Sequence, residues 1–238
     1  MLKAGNGFFA MWAGIAPDVA AAFELMHARD HLAEHLAYLG EGGILWARRY
    51  GEGQGILPPN FAFYGMRDLD RLTGPGSAER KVFETEFFKA IRPHYRDRIA
   101  HHCRVLGSAG AGTGSAVATF LLDLRAEDGA PAQIADRLTC LPSVTAAHIG
   151  AVDWGVPIRA GGVPPPCPPG DERLGIAVVE GFSRWRMAGE FASITEILGQ
   201  AGTIRSAGHY GFSYALDYAE VPGLRHHRRD HEVDPQQP

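Results

Sequence analysis

Apolar positions fall into short, dense runs of strand length, separated by stretches with helical spacing and by Gly/Pro punctuation. Residues 7–14 (GFFAMWAG) are the first run and predict a buried strand. Pro17 and Asp18 open a segment of helical spacing that lasts to about Leu39, with Val19, Phe23, Met26, Asp30 and His31 near one side and Arg29 and Glu34 toward water. Gly40, Gly42 and Gly43 stop it. Residues 44–50 (ILWARRY) predict a strand that ends in the turn GEGQG and Pro58-Pro59, and residues 60–66 (NFAFYGM) predict its return. A second helical region is expected from Asp68 to about Ile91, interrupted near Gly74 and Gly76, before a fourth strand at 101–109.

The same order then begins again. Strands are expected at 116–124, 143–155, 174–185 and 209–220, with helices at 130–141 and 187–202 and a Pro/Gly-rich insertion at 155–175. Each β–α–β–β–α–β half is a ferredoxin-like unit with both helices on one face of an antiparallel sheet, so its other face needs cover. The expected fold is therefore α+β: two tandem ferredoxin-like βαββαβ units forming an intramolecular α+β barrel. The halves are placed at 1–110 and 111–222, followed by a polar tail at 223–238 that lacks an apolar period. Such a barrel needs no second copy to close, although a homodimer through another surface is left open.

Composition narrows the partners. Lys and Arg total 23 against 27 Asp and Glu, a net charge of −4, so no basic face for nucleic acid is expected. No apolar stretch reaches the ~18–20 residues of a membrane helix. Cys103, Cys140 and Cys167 are odd in number and widely spaced, which reads as reduced thiols. Without a convincing cleavage signal near the start, the expected location is cytoplasmic.

Three short motifs occur in order: His27-Ala-Arg-Asp30-His31-Leu32-Ala-Glu34-His35, then Ala47-Arg48-Arg49-Tyr50, then Phe61-Ala-Phe-Tyr64 with Asp68-Leu69. Over residues 8–107 this resembles the EthD-like branch of the dimeric α+β barrel superfamily, whose first helix carries an acidic-His-Leu-Pro motif ahead of an ARRY strand. Ala33 stands where that family usually has proline, and His35 where arginine is frequent. The resemblance implies a small organic substrate. The superfamily holds cofactorless cyclases, isomerases, dehydratases and monooxygenases as well as heme enzymes, and tandem members look like accessory catabolic enzymes for aromatic or polyketide-like compounds.

The ligand side of such a fold lies between sheet and helices. His31 matches the family motif and is the expected general acid or base, the bland reading being a surface histidine. Alternation on 44–50 sends Arg48 and Tyr50 to one face and Arg49 to the other. Arg49 and Tyr64 are expected to bind substrate and stabilise oxyanion charge, against a rim ion pair and a core tyrosine. His101 and His102 face opposite ways, so only one serves the pocket, and His102 is taken as a substrate contact together with His209. In the second half, His148 and Glu180 sit in apolar strands that form a hairpin, and are expected to meet as an acid/base pair or as a structural hydrogen bond.

No metal site is expected, because the set His27, His31 and His35 reads as solvated histidines at helical spacing. Gly110, Gly112 and Gly114 precede a strand and so do not form a phosphate loop. The insertion at 155–175 reads either as a lid or as a disordered excursion. Taken together, the sequence predicts an enzyme without a cofactor, a lyase, dehydratase, isomerase or cyclase that moves protons by histidine acid/base catalysis. The alternative is a binding accessory protein without turnover.

Overall fold

The computed structural model describes residues 5–39, 43–73, 85–125, 130–159 and 162–221. The expected tail at 223–238 lies outside the described residues. The first half contains β1 (Gly7–Ile15), α1 (Ala20–Met26), a π-helical turn (His27–His31), α2 (Leu32–Leu39), β2 (Ile44–Gly55), β3 (Asn60–Met66), α3 (Glu86–Ile91) and β4 (Tyr95–Gly110). The second contains β5 (Ala116–Leu124), α4 (Ala130–Thr139), β6 (Val144–Val152), β7 (Leu174–Gly181), α5 (Arg184–Leu198) and β8 (Gly202–Asp217).

Within each half the strands lie in the order fourth, first, third, second, all antiparallel. The halves then join edge to edge, β2 with β8 and β4 with β6, and close one eight-stranded barrel. Two tandem ferredoxin-like units thus form the barrel within one chain, and each of the eight described strands is paired on both edges.

Joining the halves takes longer strands than the apolar runs suggest. β4 and β8 each span 16 residues, pairing with their own half at one end and with the other half at the other. Their first residues, Tyr95-Arg96-Asp97-Arg98 and Gly202-Thr203-Ile204-Arg205, are polar and carry no strand signal. β2 continues through the expected turn GEGQG by means of a bulge: Glu52 adopts φ 52°, and the register shifts between Gly51 and Gln54.

Alternation sorts side chains into three apolar layers. Phe8, Trp12, Trp46, Phe61, Phe63, Val117, Ile176 and Val178 fill the barrel interior. Gly65 makes room there, since a Cβ would stand 2.2 Å from the Trp46 indole. Outside, α4 and α5 cover the second half through Phe120, Ile134, Leu138, Ile149, Val179 and Leu198. Over the first half, Phe23, Met26, Leu32 and Leu36 pack the helical segments onto the sheet. The expected insertion ends in β7, which begins at Leu174, and its described residues before that strand lack regular structure, but Val156 at its start is 2% exposed and packs with Met11, Leu32, Leu36 and Tyr64. A segment of the second half thus lies on the helical layer of the first.

Candidate functional site

Glu34, expected toward water, is buried, and it is not the only departure along the first helix. Its histidines are not solvated: His27 and His31 are buried, and His35 is half-buried. The cause is the π-helical turn at 27–31, a wider turn of the kind often found at functional sites, which seats both rings against the sheet and α3. The rings form a ladder, His27 to His31 at 4.9 Å and His31 to His35 at 4.2 Å between centroids. His31 stacks nearly parallel on Phe88 at 4.4 Å. Asp30 turns away to accept a hydrogen bond from the Thr85 hydroxyl that caps α3.

The ladder continues across the outer face of the sheet. The His35 ring lies 5.8 Å from Tyr64, Tyr64 lies 5.7 Å from Phe9, and Phe9 lies 4.6 Å from His102. His31, His35 and Tyr64 have no hydrogen-bond partner among the described residues, and Nδ1 of buried His102 is likewise unsatisfied. Enclosed polar atoms without a partner are unusual in native proteins, and on this face they include Nδ1 of His27 and of His102. Burial, then the neighbouring His35 and His27, holds His31 well below the usual imidazole range. Burial also takes His35 down to about 4 and His102 to about 3, and pushes the Tyr64 hydroxyl up. The wall is therefore neutral at pH 7, and the titration near neutrality expected for His31 moves to the acid side.

Two arginines act on this wall. The register at β4, with Ile99 turned inward opposite Trp12, puts Arg98 on the helix-covered face beside Ala100 and His102. Arg98 and Arg159, the latter from the insertion, both depress His31 and His35. Arg49 reaches the same side but is already occupied: its guanidinium bonds Glu24 at 2.7 Å and Asn60 at 3.0 Å and stacks on Phe23 at 4.4 Å. It serves the site as a fixed charge that eases ionisation of Tyr64 and Tyr95. His27 bonds the Tyr95 hydroxyl at 2.9 Å.

His148 and Glu180 do meet, on the other face of the sheet. They project into the barrel interior, with His148 Nε2 3.5 Å from the carboxylate. Glu180 is fully buried, and its oxygens also accept from Arg48, from the Tyr50 hydroxyl at 2.8 Å and from the Gly114 N–H at 3.1 Å. Burial alone would raise its carboxyl, but the His148 contact and the Arg48 charge hold it below the usual range. Burial keeps His148 low. A neutral imidazole with Nε2–H toward Glu180 and Nδ1 accepting from the Ser108 hydroxyl at 2.8 Å satisfies both contacts.

His209 lies apart, 3.0 Å from Gln54 and facing Phe191 on α5. Both helix-covered faces are packed with apolar side chains, but the buried histidines of the π-helical turn and β4 have no counterpart in the apolar cluster beneath α4 and α5. Among the described residues no three His, Cys, Asp or Glu are arranged to hold a metal ion. Sequence reasoning passed over Tyr50, Tyr95 and Arg98. Tyr50 shares the inward parity of Arg48, which pointed to Glu180, whereas Tyr95 and Arg98 lie in a polar run with no strand signal.

No family model matches the chain, and no curated protein matches it significantly. Solved structures do. An anthrone oxidase-like protein aligns with TM-score 0.55 over 90% of this chain and 94% of that one, at 9% identity. A protein of Fusobacterium nucleatum named a putative monooxygenase aligns with TM-score 0.52 over 90% and 95%, and one of the same name from Lactobacillus acidophilus with 0.51 over 89% and 96%, both at 9% identity. At that identity the likeness is one of fold. What the likeness shows is the fold, an α+β barrel of eight antiparallel strands with two ferredoxin-like halves, here carried by a single polypeptide.

Proposed function

We propose that the chain is an enzyme that moves a proton on a small aromatic or polyketide-like compound at the helix-covered face of its first half. The observation that carries this reading is the buried, neutral His31, unpartnered among the described residues and set in a wall of aromatic rings. The EthD-like motifs at 27–35 and 47–50 support it, since both bound that face. A neutral imidazole accepts the proton from a carbon next to a carbonyl, and the electron pair moves onto the carbonyl oxygen. Tyr64, neutral and without a partner among the described residues, donates to that oxygen, and Arg49 lends positive potential from behind. The proton then returns to another carbon in an isomerisation, or a hydroxide leaves in a dehydration.

The barrel-interior set of Arg48, Tyr50, His148 and Glu180 is read as a strut between the halves, because it is enclosed and its carboxylate is saturated. A fold neighbour named anthrone oxidase-like makes a fused-ring ketone a suitable first substrate. Proton exchange at the carbon beside its carbonyl, followed by NMR in deuterated water, tests the reading. Exchange should be accelerated by the wild-type chain and slowed ~10²-fold by His31→Gln. Saturable binding without exchange would make the chain an accessory binding protein instead.

A further inference from the structure

Six large apolar side chains are exposed among the described residues, and four of them fall on two surfaces. The first surface is an aromatic corner at one end of the barrel, formed by Phe182, Trp185 and Phe212, of which Trp185 is 81% exposed. Gly181 of β7 and Gly211 of β8 both pair with Ala116 of β5, and Phe182 and Phe212 follow those glycines on either side of β5. Ser115 ties the two together: its hydroxyl donates to the Phe182 carbonyl at 2.6 Å, and its carbonyl accepts from the Phe212 N–H at 2.9 Å. Trp185 stands in the first turn of α5, just past the Ser183 cap, and the Arg186 guanidinium lies 5.8 Å from the Phe182 ring. Arg184 fastens this corner to β2 through the carboxylate and carbonyl of Glu52.

The second surface is the Pro-rich part of the insertion. Residues 163–169 read Val-Pro-Pro-Pro-Cys-Pro-Pro and lie outside any helix or strand. Proline holds φ at about −65° and keeps the residue before it out of the helical region, so a run of this composition is confined to an extended, polyproline II course. At about three residues per turn, Val163, Pro166 and Pro169 share one ridge. All three are exposed, Val163 by 90%, whereas Pro165 and Cys167 are half-buried.

Each surface is of the kind that recognises the other. Polyproline strips dock on exposed aromatic rings, and being extended beforehand they lose little freedom on binding. Both surfaces are exposed in the same chain, so neither covers the other within it. Charge agrees as well, since the cation Arg186 stands beside the rings and the exposed anion Glu172 follows the strip. We propose that the occupant of the aromatic corner is a second copy of this chain, whose strip lays its Val163–Pro166–Pro169 ridge across Phe182, Trp185 and Phe212. Reciprocal exchange of two strips closes such a contact as a symmetric dimer. The proposal is independent of the His31 face.

Sedimentation of the full chain from ~1 μM to ~1 mM tests it, a range that covers weak interfaces. A reducing buffer keeps the exposed Cys140 from cross-linking copies. Self-association should rise with concentration, and a peptide spanning residues 162–171, with serine in place of Cys167, should reverse it. Trp185→Ser alone, or Val163→Ser with Pro166→Ser and Pro169→Ser, should weaken self-association at least ~10-fold. An equimolar mixture of those two variants should regain part of it, because each keeps the surface the other has lost. A wild-type chain that stays monomeric throughout, association untouched by the peptide, or a mixture no better associated than either variant alone would overturn the proposal. The peptide competition uses only the wild-type chain, so it decides even where a substitution impairs folding.

Discussion

The Tyr50 hydroxyl, carried by β2 of the first half, donates to the Glu180 carboxylate of β7 in the second half at 2.8 Å, across the middle of the barrel. Arg48 adds its charge to the same carboxylate from the same strand.

That cross-brace predicts a stability effect with little effect on ligand binding. Tyr50→Phe removes a hydrogen bond to a charged group and should cost ~1.5–3 kcal/mol. Glu180→Ala strands Arg48 in the interior and should cost ~3–5 kcal/mol. Denaturant unfolding measures both, and the double change Arg48→Met with Glu180→Leu should cost less than Glu180→Ala alone. A Glu180→Ala protein as stable as the wild type would remove the strut.

The activity of the first-half site should fall on the acid side only. His31 is held below its ordinary value by burial, so the neutral base persists at pH 7 and is lost as pH falls well below 6.5. A rate profile flat from pH 6.5 to 8 is expected. An inflection near pH 7 that vanishes in His31→Gln would show that the ring is more hydrated than its 7% exposure indicates.

Stability should follow the same groups. In the unfolded chain the histidines titrate near 6.5, whereas in the folded chain His35 titrates at about 4 and His102 at about 3. Between those limits the unfolded state binds more protons, so stability declines as pH drops from 6.5 and the loss levels off near 3. Unfolding midpoints measured from pH 7 to 4 should fall steadily. Constant midpoints across that window would contradict the buried neutral assignment.

Val156→Ala should cost ~1–2 kcal/mol for two buried methyl groups, and Val156→Asp considerably more. Because Val156 packs on Leu32, Leu36 and Tyr64, both changes should also weaken ligand binding to the first half. Affinity unchanged in Val156→Ala alongside the expected destabilisation would separate the insertion from the site.

The plan of the barrel was legible because apolar runs such as 60–66 and 116–124 carry it directly, and β3 begins and ends where its run does. The pairing of His148 with Glu180 was legible too, since two polar groups in adjacent buried strands must meet. What escaped was set by tertiary pairing. Tyr95–Ile99 is a polar stretch that becomes strand only because β1 lies beside it, and the π-helical turn replaces an ordinary helical turn without a local sequence cue. That turn lies where His27 joins the buried side on which spacing already places His31 with Phe23 and Met26. Which face of the sheet held Glu180 also depended on closure, because only a closed barrel offers an interior able to satisfy a carboxylate from both halves.

The position of Val156 has a consequence for dilution. In a barrel assembled from two separate copies, a connection lying on the helical layer of one copy would belong to the other, and the ligand side would lose that cover whenever the copies parted. Here the covering residue and the layer it covers are tethered, at an effective concentration on the order of millimolar. The helix-covered face of the first half therefore keeps its cover at any protein concentration.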